Sequence, residues 1–168
     1  GWIYYDPGDG SERVQIGADE VEYDGDFLWA TPAPESYIGS DEYYTFREKD
    51  FDIRMEIMKL GIKAPDYYLN YGDRNLRKFK YGLRPTLKDG GKDWLDKTLH
   101  SLQRRMENGI RMNPEIELNN AKFTEFAFDT HIPAYIYSGL FNLSLYEMLQ
   151  IFDTPSYRDV LFDQNGRK

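Results

Sequence analysis

The stretch KDWLDKTLHSLQRRMENGIR, residues 92–111, decides the fold. Leu95, Leu99, Leu102, Met106 and Ile110 recur at i, i+4, i+7, i+11 and i+15, with Trp94 beside them. Residues three and four apart share one side of an α-helix, so this spacing lines a single face for about five turns. Lys97, Arg104, Arg105 and Arg111 fall on the exposed face. A helix with one apolar stripe must be covered by other elements, so residues 92–111 read as the spine of a helical body. His100 lies on the flank of the stripe and reads as a satisfied, partly buried side chain.

Upstream, a helix is expected over about 48–60. Phe51, Met55 and Met58 form one row and Ile53, Ile57 and Leu60 a neighbouring one, with Gly61 as the C-terminal cap. Pro65 opens the next helix, which carries Tyr68, Leu76, Phe79 and Leu83 on one side. Gly72 weakens or splits it, Arg84-Pro85 ends it, and Asp89-Gly90-Gly91 reads as a loop. Downstream, a helix over about 119–129 turns Phe123, Phe126 and Ala127 inward, and another starts near Pro133. Asp129 or Thr130 is the expected N-cap of that second helix. Ser144 and Glu147 make a capping box for a third, and Thr154-Pro155 starts a last turn or two. Phe123, Phe126, Tyr135, Leu140, Phe141, Leu143, Leu145, Leu149 and Phe152 are expected to pack over the spine.

The first 46 residues read differently. Val14 and Ile16, then Val21 and Tyr23, alternate with polar neighbours, the period of a strand. Asp24-Gly25 is a hairpin dipeptide, and residues 27–30 would be the returning strand. Asp6-Pro7-Gly8-Asp9-Gly10 is turn chemistry. With Ser11 and Glu12 it is oxygen-rich, but it lacks the ligand spacing of an EF-hand calcium loop. The expected fold class is therefore α+β: a short antiparallel N-terminal sheet or hairpins followed by a mainly helical body. The 168 residues favour a single domain over 1–168, strand- and turn-rich to residue 46 and helical from 47.

Hydrophobic residues make up 40% and aromatic residues 16%, enough for a core. No cysteine is present, which removes disulfides, thiolate zinc sites and thiol nucleophiles. No apolar run is long enough to span a membrane. The chain starts at Gly1, followed by Trp-Ile-Tyr-Tyr, which reads as part of a larger or secreted protein without a visible signal peptide. Net charge is −8 and uneven: residues 1–60 hold 15 Asp/Glu against 5 Lys/Arg, and residues 73–112 hold 11 Lys/Arg against 5 Asp/Glu. An acidic chain argues against nucleic acid.

No phosphate-binding glycine loop, serine elbow or metal-ligand spacing occurs, so no cofactor or metal is expected. Two groups of residues invite function. Asp129 and His131, with Glu125 or Glu147, supply a base and carboxylates for a small hydrolase or toxin-like effector cleaving carbohydrate or peptidoglycan. Tyr67, Tyr71, Arg74, Arg77, Lys78, Lys80 and Arg84 interleave rings and cations, a face that suits an acidic protein surface. With no catalytic motif, the leading expectation is a non-enzymatic protein-binding or interaction domain, and the hydrolase is its rival.

Overall fold

A computed structural model describes residues 2–5, 14–18 and 30–152. Residues 30–152 form helices and turns with no strand. The α+β expectation is thereby overturned, and the fold is mainly helical. Among the described residues the one β pairing is a ribbon of β1 (Trp2–Tyr5) and β2 (Val14–Ala18), antiparallel, with Tyr5 opposite Val14 and an irregularity between Ile3 and Tyr4. Two strands alone are marginal in water and make no sheet layer. The expected strand at 21–23, the turn at 6–10 and the start at Thr154-Pro155 lie outside the described residues, as does the expected strand at 27–30 except for Ala30, which is not in a strand.

Helix α1 spans Tyr43–Met58, five residues earlier than its apolar rows imply. It buries Tyr43, Arg47, Phe51, Arg54 and Met58, and Ile53 and Ile57 face outward. Lys59 closes it in the left-handed conformation (φ 56°), a position expected for Gly61. The stretch 68–86 is one irregular helix: α2 (Arg74–Arg77) lies between two π-helical turns, Tyr68–Asp73 and Lys78–Leu83, and a 3-10 turn follows at Arg84–Thr86. Gly72 does not break it. Its missing side chain admits the Tyr44 ring, since a methyl there would lie 2.6 Å from Tyr44 Cε1.

The spine, α3, runs Asp89–Met112, so Asp89-Gly90-Gly91 is its first turn and not a loop. The expected stripe of Leu95, Leu99, Leu102, Met106 and Ile110, with Trp94, is buried, whereas His100 is exposed. A 3-10 turn at Pro114–Leu118 leads into α4 (Asn120–Asp129), capped by Asn119, whose Oδ1 accepts from Lys122 N at 3.0 Å. Phe123 and Ala127 are buried, and the half-buried Phe126 ring occupies the space a side chain at Gly109 would fill.

Helix α5 (His131–Tyr137) packs on α3, and Trp94 Nε1 donates to Tyr135 O at 3.0 Å. Its N-cap is Thr130, but the Thr130 hydroxyl bonds back to Ala127 O and caps nothing. Helix α6 (Leu145–Phe152) has the expected cap, with Glu147 N donating to Ser144 Oγ at 3.2 Å. Phe123, Tyr135 and Leu140 are core residues as expected, but Phe141, Leu145, Leu149 and Phe152 are exposed. On α6 the inward row is Glu147 and Ile151.

Candidate functional site

The interior of the body is unusually polar. Arg47 Nη1 meets Glu107 Oε1 at 3.0 Å, and Arg47 Nη2 reaches Asp50 Oδ2 at 3.0 Å. Arg54 bridges Asp50 (2.9 Å) and Glu117 (3.0 Å). The Tyr43 hydroxyl donates to Glu107 at 3.0 Å and the Tyr68 hydroxyl to Glu117 at 2.7 Å. Burial first, and then the adjacent carboxylate charge, push both phenols well above their ordinary range, so they stay protonated donors. Two guanidiniums and three carboxylates therefore nearly balance, and the phenols take up the surplus acceptors. These groups bind one another and the backbone of Thr31 and Ala33. Such a network holds the 30–34 segment, α1, α3 and the turn at Glu117 in register; chemistry on an outside molecule would have to break it.

His131 sits in an aromatic nest of Tyr67, Phe128 and Tyr135. Its Nδ1 lies 2.9 Å from Ala127 O and 3.2 Å from Phe128 O. Carbonyls only accept, so Nδ1 carries the hydrogen, and in the neutral ring Nε2 accepts from the Tyr67 hydroxyl at 3.3 Å. Both ring nitrogens are thus engaged. Burial, first of all, raises the Tyr44 and Tyr67 hydroxyls far above their ordinary range. A cavity of about 20 Å³ adjoins Tyr44, Tyr67, Gly72 and His131, room for about one water.

The four catalytic candidates are not gathered at one place. His131 and Glu147 are buried, on α5 and α6, and Glu125 and Asp129 are exposed on α4. The Glu147 carboxylate lies against the first turn of α3, where a methyl on Gly91 would come 2.5 Å from Oε2. Its Oε1 accepts from the Ser144 hydroxyl at 3.2 Å, and its buried Oε2 has no hydrogen-bond partner among the described residues.

The basic candidates lie along 68–86, and most are already paired. Lys80 Nζ reaches Asp41 Oδ1 at 2.8 Å, and Arg77 and the Tyr81 hydroxyl also turn to Asp41. Burial opposes ionisation of Asp41, but the hydrogen bonds from Lys80 and Tyr81 outweigh it and hold its carboxyl below the usual range. Arg77 also pairs with Asp73 at 3.1 Å, and Arg84 pairs with Asp96 at 2.9 Å. Tyr67 is buried and stacks on Tyr71. Arg74 and Lys78 remain exposed, with no ion pair among the described residues.

A different surface escaped the sequence reading. Ile132 and Ile136 form an exposed row on α5, followed by Tyr137 (79% exposed) and Phe141 (68%). On α6, Leu145 (71%), Tyr146 and Leu149 (58%) are exposed as well. The signal was available: residues 130–146 contain no Asp, Glu, Lys or Arg. No family model, curated protein or solved structure matches the chain.

Proposed function

We propose that this chain is a non-enzymatic protein-binding domain that works through the α5–α6 face. The observation that carries the reading is the pair of exposed apolar rows, Ile132/Ile136 and Leu145/Leu149. Exposed apolar side chains gathered on neighbouring elements mark interaction surfaces, whereas single ones are ordinary. The polar interior supports the same reading, because its charged groups bind one another and His131 uses both ring nitrogens within the chain. The hydrolase reading requires Asp129 and His131 to act with Glu125 or Glu147, side chains that divide between surface and interior. The test is cross-linked capture from a lysate with the wild type and with Leu145→Ser/Leu149→Ser. A discrete partner is expected with the wild type and lost with the variant, at unchanged melting temperature. Recovery of the same proteins by both would overturn the reading.

A further inference from the structure

We infer that the occupant of the α5–α6 face is a protein segment carrying carboxylates beside its apolar residues. The inference rests on the binding reading and adds the partner's charge. The exposed side chains of the face are uncharged: residues 130–146 hold no Asp, Glu, Lys or Arg, and on α6 Glu147 is buried. Its two exposed tyrosines are each covered by a cation from α3 or its cap. The Arg105 guanidinium lies 5.3 Å from the Tyr137 ring centroid, and the Lys88 ammonium lies 5.5 Å from that of Tyr146. Stacking on a ring is a weak attraction and leaves the charge available. Neither cation has an ion pair among the described residues; Arg105 Nε bonds only the Ser101 hydroxyl, at 3.2 Å. Several neighbours in the basic region are paired, Lys80 by Asp41, Arg84 by Asp96, Lys97 by Asp93 and Arg104 by Glu35. Arg74 and Lys78 are, like Lys88 and Arg105, without an ion pair among the described residues, but they do not lie over a ring of this face.

Lys88 caps the start of α3 and Arg105 lies 17 positions on. At 1.5 Å per residue the two stand about 25 Å apart along the helix. Each helix of the face thus has one cation beside it, Arg105 at Tyr137 of α5 and Lys88 at Tyr146 of α6, neither ion-paired among the described residues. A segment with carboxylates at its edges neutralises both as its apolar side chains cover the rows. A basic segment would press like charges together as water leaves, which opposes binding. Anionic lipid offers similar chemistry but fits the rest of the chain poorly. The net charge is −8, and the first 60 residues alone carry 15 acids against 5 bases, which such a surface repels.

Two synthetic amphipathic peptides test this by fluorescence anisotropy on the full chain. They share one leucine row and differ in whether Glu or Lys flanks it. The Glu peptide is expected to bind about tenfold more tightly, and to weaken with salt. Lys88→Glu with Arg105→Glu should reverse the preference. Lys88→Met with Arg105→Met, which keeps the stems over the rings, should only erase it. Equal binding of both peptides, preference for the Lys peptide, or indifference to the charge variants would overturn the inference. So would co-sedimentation with phosphatidylserine vesicles in place of either peptide, or self-association that Leu145→Ser abolishes. Loss of the lysate partner on Leu145→Ser/Leu149→Ser without any Glu preference overturns the acidic occupant alone. Failure of both experiments overturns the binding domain as well.

Discussion

Arg47 Nη1 lies 3.0 Å from Glu107 Oε1, with both side chains buried. Glu107 also accepts from the Tyr43 hydroxyl and the Ala33 N–H, so the ion pair is the hub where α1, α3 and the 30–34 segment meet. Removing one partner strands the other charge in the interior, a loss of about 3–5 kcal/mol. Arg47→Met and Glu107→Leu should each lower stability in urea by that order. The double variant should lose less than the sum, with a coupling above about 1 kcal/mol. Strict additivity would show that the two charges do not depend on each other.

Glu48 gives the chain a pH response of opposite sign to the usual carboxylate. Burial first, then the charges of Asp52 and Asp66, raise its carboxyl above the ordinary value. The folded state therefore holds this proton more tightly than the unfolded chain does. Above the folded value both states are ionised and the full penalty falls on the fold. As pH drops through the folded value toward the unfolded one, the penalty disappears. Glu48→Gln should thus raise the melting temperature at neutral pH, and the gain should vanish once the pH falls below the ordinary glutamate range. A gain that persists in acid would assign the effect to something other than titration.

The spine was readable because its five stripe residues are apolar and all face inward. Helix α1 was readable only in part: Phe51, Met55 and Met58 are buried as expected, but its start and inward face run on through Tyr43, Arg47 and Arg54, alternating rings and arginines. Hydropathy sends arginine to water, and the partners that make burial tolerable, Glu107 for Arg47 and Glu117 for Arg54, lie 60 and 63 positions away. Ile53 and Ile57, read as part of the core, face outward as a result. On α6 the inward positions are Glu147, against the start of α3, and Ile151, while Leu145 and Leu149 face out, which a reading that sends carboxylates to water and leucines to the core reverses. At His131 the neighbour in sequence, Asp129, is exposed, and the bonded hydroxyl comes from Tyr67, 64 positions away. Period-two alternation near the N-terminus indicated strand, but local alternation carries no information about whether further strands will pair.

The two π-helical turns make matched glycine substitutions informative. At Gly72 a methyl would meet the Tyr44 ring at 2.6 Å, and Tyr44 is itself buried against Tyr43 and Tyr67. At Gly82 nothing lies within 4 Å. Gly72→Ala should therefore destabilise by about 1–3 kcal/mol through overpacking. Gly82→Ala should be neutral or stabilise by up to about 1 kcal/mol, since alanine restricts the unfolded chain and favours helix. Thermal unfolding of the two variants checks the pair; equal shifts would mean that Tyr44 yields freely.

The exposed rows of α5 and α6 make a stability prediction independent of any partner. Leu140 is 4% exposed, whereas Leu145 is 71% exposed. Truncating a buried leucine removes its transfer energy and leaves a cavity, so Leu140→Ala should lose about 2–5 kcal/mol. Leu145→Ser and Leu149→Ser remove atoms already in water, so each should change stability by less than about 0.5 kcal/mol. They should also raise solubility, because a surface patch that no partner covers drives self-adhesion. Urea midpoints of the three variants, read beside their light scattering at matched concentration, decide it. A large loss for Leu145→Ser would place that side chain in the core and remove the face on which the binding proposal stands.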